Sequence, residues 1–268
     1  MKKGIVWVIF TLFLGCNLVL AQTKSTLTEE DKTALEDIIV EKYYVATKAD
    51  SKDTGNGFLP VGSVTYRIYI DLKPGYYLQG VFGVPKHELF FKTSTYFFND
   101  TIDGQQSGDM INERKLNEKY AAMDSWVTIG AATKAHHGVL RVDDKDTFSL
   151  IKRVPLNKAD GLMVKADEEI NNKRGVTQKI VIYGLDLNFF NTMAKLPMFY
   201  SNNGTWATVT GTKGPTADNR ILIAQLTTTG KLSFAFNLQV GSPSGKLIQY
   251  VAENPEGAEV EFKKLKRK

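Results

Sequence analysis

Leu232-Ser233-Phe234-Ala235-Phe236-Asn237-Leu238-Gln239-Val240 is the stretch that decides the fold. Large apolar side chains occupy every second position. A period of two puts Leu232, Phe234, Phe236, Leu238 and Val240 on one face of a β-strand and the small or polar residues on the other. Just before it, Arg220 to Leu226 reads as a second strand, and Thr227-Thr228-Thr229-Gly230 reads as the turn between them. The pair is expected to form a hairpin.

The same pattern recurs upstream. Val64, Tyr66, Ile68, Ile70 and Leu72 alternate with Thr65, Arg67, Tyr69 and Asp71, which implies one buried and one wetter face. Lys73-Pro74-Gly75-Tyr76 supplies a turn, with proline fixing φ and glycine accepting φ > 0. Tyr77 to Phe82 is expected to return as the hairpin partner. Further strands are expected over Ile38–Val45, Glu88–Phe98, Ser125–Ile129, Gly138–Val142, Lys179–Tyr183 and Thr205–Thr210. Thr28 before Glu29, Glu30 and Asp31 suits the start of a short helix ending near Asp37. The fold class is therefore mainly β, an antiparallel β-sandwich or jelly-roll-like arrangement. It is one large domain or two related β units. The second alternative rests on an echo between Tyr96-Phe97-Phe98-Asn99 before Trp126 and Met198-Phe199-Tyr200-Ser201-Asn202 before Trp206.

The N-terminus reads as a leader. Met1-Lys2-Lys3 is a positive start, Gly4 to Leu14 an apolar run, and Val19-Leu20-Ala21 a small-residue cleavage site. These are the parts of a secretory signal peptide over residues 1–21. Cleavage there makes Gln22 the first mature residue and leaves no transmembrane segment. The one cysteine, Cys16, lies within the leader, so a processed chain has no disulfide framework. The alternative reading takes Leu14-Gly15-Cys16 as a lipobox end and the protein as a lipoprotein. Residues 22–37 form a polar N-terminal segment, 38–254 the β-sandwich region, and 255–268 a basic C-terminal tail.

Charge argues against nucleic acid. The formal net charge is +5. Two of those charges, Lys2 and Lys3, leave with the leader, and the tail carries Lys263, Lys264, Lys266, Arg267 and Lys268 against Glu256, Glu259 and Glu261. The body of the protein is electrostatically mixed. The tail is expected to be a solvated end, available to an anionic surface.

Several segments resemble a module of uncharacterised function from large secreted and surface proteins of Bacteroidetes. They are Leu59-Pro60-Val61-Gly62-Ser63-Val64-Thr65-Tyr66-Arg67-Ile68-Tyr69, Tyr77 to Gly83, Asp124-Ser125-Trp126-Val127-Thr128-Ile129-Gly130, Asp218 to Gln225, and Gln249 to Pro255. The similarity spans roughly residues 38–255. It implies an extracellular or cell-surface location, periplasmic as an alternative, often alongside type IX secretion; it implies no activity. Asp100-Thr101-Ile102 also resembles the acidic-Thr-aliphatic O-glycosylation signal of those bacteria.

No catalytic motif emerges. His87, His136 and His137 lack metal-ligand spacing, and Ala135-His136-His137-Gly138 reads as a turn. Gly241-Ser242-Pro243-Ser244-Gly245 puts a proline where a nucleophile elbow needs its serine. The strongest candidate site is the loop from Asn99 to Asn112, crowded with Asn99, Asp100, Asp103 and Asp109. Calcium takes about six to eight hard oxygens, so these four are the candidate metal ligands and calcium the candidate cofactor. Asp143, Asp144 and Asp146 form a lesser acidic loop, and in both loops the alternative is solvated turn residues. Ten aromatic residues, Tyr66, Tyr69, Tyr76, Tyr77, Phe82, Phe90, Phe91, Tyr96, Phe97 and Phe98, offer either a core or a glycan-stacking face. The resulting expectation is a non-enzymatic β-sandwich that binds a glycan or a partner protein at the cell surface. Alternatives are a polysaccharide or peptide hydrolase with carboxylates on loops, and a structural or adhesin component.

Overall fold

The computed structural model describes residues 27–50, 59–118, 120–145, 149–152, 156, 158–166 and 179–268. The expected leader with Cys16, and Asp146, lie outside the described residues. The first half supplies β1 (Leu35–Val45), β2 (Val64–Leu72), β3 (Tyr77–Gly83), β4 (Leu89–Thr93), β5 (Trp126–Val127), β6 (His136–Gly138) and β7 (Leu162–Val164). The second half supplies β8 (Val181–Tyr183), β9 (Met198–Ser201), β10 (Gly204–Thr212), β11 (Arg220–Thr228), β12 (Leu232–Ala235), β13 (Asn237–Gly241), β14 (Leu247–Val251), β15 (Val260–Glu261) and β16 (Lys266–Arg267). The chain is mainly β, built of antiparallel sheets in a sandwich-like arrangement, as its alternation implies. No helix among the described residues is long and apolar enough to cross a membrane.

The expected helix is real but brief. It spans only Glu29–Lys32, α1, and opens on a capping box in which Thr28 and Asp31 bond each other's backbone N–H. The Tyr250 hydroxyl accepts the Ala34 and Leu35 N–H groups, at 3.1 and 3.3 Å, and donates to the Asp31 carbonyl. That anchor stops the helix and starts β1.

Three sheets make the body. The first has the order β1-β2-β11-β5, the second β15-β14-β13-β3-β10-β8, and the third β16-β12-β4-β9. The second and third are joined end to end. Phe236 alone separates β12 from β13, and Asn202–Asn203 alone separate β9 from β10. Residues 84–88 similarly carry β3 into β4. A single bent surface results, and it faces the first sheet across a shared core. Ile68, Ile70, Ile221 and Ile223 from the first sheet meet Leu78, Val81, Phe91, Phe234, Phe236 and Leu238 there.

Two expected hairpins are corrected. β2 pairs with β1 and β11, whereas β3 pairs with β10 and β13. β11 likewise belongs to the first sheet and β12 to the third. Lys73–Tyr76 and Thr229–Lys231 are arches that carry the chain across the core. Alternation fixes which side chains are buried, and a hairpin and an arch bury the same ones. Asn219 fastens the first arch, donating to the carbonyls of Lys73 (2.9 Å) and Tyr76 (3.0 Å). The predicted face holds: Leu232, Phe234, Phe236, Leu238 and Val240 are all buried in the one core.

The wetter face expected of β2 is also buried. Described residues between 98 and 162 lie over it, and a second cluster forms from Tyr43, Tyr69, Trp126, Leu222, Leu140 and Leu162. Thr65, Arg67, Gln225 and Thr227 are sealed there and must bond one another or the backbone. The expected strand at Gly138–Val142 and the expected turn at His136–His137 are corrected together, because His136–Gly138 is β6 and pairs with β7.

Residues 255–268 are docked, contrary to a solvated tail. β15 runs parallel to β14, β16 pairs with β12, and Leu265 between them is fully buried. Lys264 and Lys266 form ion pairs with Asp37 and Glu253. The lysines face water while one leucine and the backbone hold the segment in place.

Candidate functional site

The four candidate metal ligands are put to different uses. The Asn99 amide donates to the carbonyls of Phe189 (2.7 Å) and Thr192 (3.1 Å). Asp100 is fully buried, and its carboxylate accepts the N–H groups of Ile102 and Asp103, closing the turn that follows it. Asp103 is paired with Lys115 at 3.0 Å. Asp109 lines a cleft of about 340 Å³ together with Asp103, Gln105, Asn112, Lys115 and Lys134. The cleft thus brings Asp103 and Asp109 together and leaves Asn99 and Asp100 out. No group of three or more His, Cys, Asp or Glu side chains placed to hold a metal ion occurs among the described residues.

The residue that shapes this loop had no local signal. Asp124, fully buried, accepts N–H bonds from Asp100 (2.7 Å), Gln105 (2.9 Å) and Ser125 (2.9 Å). Burial pushes its carboxyl well above the usual range, against the N–H groups that favour the anion, and the charge of Asp100 adds to the rise. Gly104 is obligatory beside it, since a Cβ there would lie 2.2 Å from an Asp124 carboxylate oxygen.

The lesser acidic loop borders a cleft of about 420 Å³ where Asp143, Asp144 and Asp218 meet. Arg220 binds Asp143 (2.7 Å) and Asp218 (3.3 Å), while Asp144 accepts the Gly161 N–H at 2.8 Å. These carboxylates brace β11 against the overlying loops. His87 is paired with Glu259 at 3.0 Å, and His136 bonds Thr133 at 3.0 Å, so these two histidines serve the packing of their own segments.

Half of the ten aromatics are structural. Tyr69, Tyr76, Phe91, Phe97 and Phe98 are buried, and none of the other five is fully exposed. The exposed apolar surface lies elsewhere, at the side of the bent sheet where β8 and β9 are the last strands. Val181, Ile182 and Tyr183 of β8 are exposed, as are Met193, Leu196, Met198 and Tyr200 along β9 and its approach. The sequence marked β8 as a strand but not β9, whose four residues show only one turn of alternation.

Here a groove of about 420 Å³ opens between β9 and the 3-10 turn Leu187–Asn191. Leu196, Met198, Phe199 and Tyr200 form one wall, and Asp186, Asn188, Phe189 and Thr192 the other. Phe199 packs at a tilt against Phe189 (5.4 Å between ring centres) and Phe190 (5.0 Å), which makes an aromatic floor. The Tyr200 hydroxyl donates to Glu88 at 2.8 Å and fixes that ring at the rim. The groove thus combines an apolar floor with a few oriented polar groups. No protein-family model, no curated protein and no solved structure matches the chain.

Proposed function

We propose that this is a non-enzymatic binding protein of the cell surface, and that its partner is a protein held in the groove beside β9. The carrying observation is the exposed apolar rim of that groove, Leu196, Met198 and Tyr200, set on an aromatic floor. Exposed apolar patches of this kind mark interaction surfaces, and methionine adapts to a partner's shape. The positive start, apolar run and small-residue site of residues 1–21 support export, and the resemblance to a Bacteroidetes surface module supports a location at the envelope.

The test is binding of labelled protein to envelopes of the exporting cell. The expected result is saturable binding, lost in a Leu196→Asp, Met198→Asp double variant and kept in Val209→Asp, a change at another exposed apolar residue. Protease treatment of the envelopes is expected to abolish binding. Loss on periodate oxidation instead would assign a saccharide partner, and equal binding by all variants would remove the groove from the function.

A further inference from the structure

We infer that the groove takes an extended polypeptide segment, added as a strand to the open edge of β9; this rests on the function proposed above and names its ligand. The lining carries the first argument. Met198, Phe199 and Tyr200 all border the groove. Consecutive side chains of a strand point to opposite faces. Phe199 is buried beneath the sheet while Met198 and Tyr200 are exposed above it. A groove touched by all three runs along the strand's edge and not across one of its faces.

Hydrogen-bond register carries the second. β9 pairs with β4 through Phe91↔Phe199 and Lys92↔Met198, and the Thr93 N–H donates to the Pro197 carbonyl at 2.9 Å. In an antiparallel ladder the bonded pairs alternate. Pro197, Phe199 and Ser201 therefore direct their backbone groups at β4, and Met198 and Tyr200 direct theirs outward. No strand lies on that side of β9 among the described residues. Two N–H and two C=O groups consequently face the groove, in the spacing that an extended backbone satisfies. A sugar ring does not present groups at that repeat.

Charge narrows the ligand further. Asp186 is the acidic side chain lining the groove, and it accepts the backbone N–H of Asn188 at 3.0 Å. The geometry fits a segment with apolar side chains at alternate positions, resting on Phe189, Phe199 and Leu196, and a lysine or arginine opposite Asp186. The shortness of β9 and Lys195 at its approach are features of the kind that blunt an edge against a second copy.

The test uses the full processed chain and short peptides selected on it from a random display library. Selected peptides are expected to alternate apolar residues and to carry one basic residue. N-methylation of the backbone at one set of alternate positions is expected to weaken binding about tenfold per site, the loss of one hydrogen bond of ~1.4 kcal/mol, while the other set is neutral. The Met198 and Tyr200 amides are expected to gain protection from hydrogen exchange on binding. Asp186→Asn is expected to weaken only peptides with the basic residue. Indifference to N-methylation at every position overturns strand addition. If envelope binding still depends on Leu196 and Met198, the groove's function survives and only the strand mode falls. Concentration-dependent dimerisation that protects the same two amides overturns the inference in favour of a second copy.

Discussion

The Arg67 guanidinium lies 3.6 Å from the centre of the Tyr43 ring, and neither side chain touches solvent. Arg67 also donates to the Gln225 amide oxygen (2.9 Å) and the Gly161 carbonyl (3.0 Å), while Tyr43 donates to the Asp160 carbonyl (2.7 Å). A planar fork is spent on two acceptors and a ring face at once, so lysine is no substitute. Arg67→Lys is expected to cost ~2–4 kcal/mol by denaturant unfolding. Tyr43→Phe keeps the ring and is expected to cost only ~1 kcal/mol. Equal costs would show that the ring contact contributes little.

Asp124 gives the protein a pH dependence of known sign. Its folded-state carboxyl is raised well above the ordinary value. A raised group contributes stability that is complete below the unfolded value and is lost as pH rises through the folded one. Wild-type unfolding midpoints are therefore expected to fall as pH rises above about 4, the ordinary aspartate value, more steeply than those of Asp124→Asn. The variant is less stable throughout, because its amide nitrogen meets the Gln105 N–H. Parallel pH profiles for the two proteins would mean that the N–H bonds to Asp124 outweigh its burial.

Phe236 is the hinge of the bent sheet, fully buried between β12 and β13 with Phe234 at 5.2 Å and Phe91 at 6.1 Å. Phe236→Ala is expected to cost ~3–5 kcal/mol. A loss below ~1 kcal/mol would mean that the two sheets can close without it.

Calcium, if the Asn99–Asn112 loop takes it, has to compete with Lys115, which is paired with Asp103. Removing that ammonium should favour the ion. The calcium-induced rise in melting temperature, measured with about 5 mM calcium against chelator, is expected to be larger in Lys115→Ala than in wild type. An equal rise would show that Lys115 swings aside at no cost.

The docked C-terminus is testable at one residue. Leu265→Ala is expected to cost ~2–5 kcal/mol and to release β16, read as loss of amide protection at Lys266 and Arg267. Preserved protection would place the anchor in the ion pairs of Lys264 and Lys266.

The sequence carries faces more clearly than partners. The five apolar residues from Leu232 to Val240 are legible as a buried row because burial imposes period two on every strand. Whether Lys73–Tyr76 is a hairpin or an arch leaves no mark on that period, so the pairing of β2 with β11 was not readable. Leu265 is a lone apolar residue among Lys263, Lys264, Lys266, Arg267 and Lys268, too little to signal a docked segment. Asp124 holds the backbone of Asp100, 24 residues away in sequence, and only the fold brings it there. The groove beside β9 depends on which strand ends the sheet, a property of topology and not of any residue.

The three larger sheets each join early and late strands: β2 to β11, β3 to β10 and β13, β4 to β9 and β12. At a ribosomal rate of about 5–20 residues per second, the interval between finishing β4 and starting β9 is roughly 5–20 s. Throughout that time Ile68 and Ile70 have Leu78, Val81 and Phe91 opposite them but lack the neighbours that β9 to β13 bring to the same core. For those seconds β2, β3 and β4 present unpaired edges, the state in which a nascent chain is most prone to aggregate.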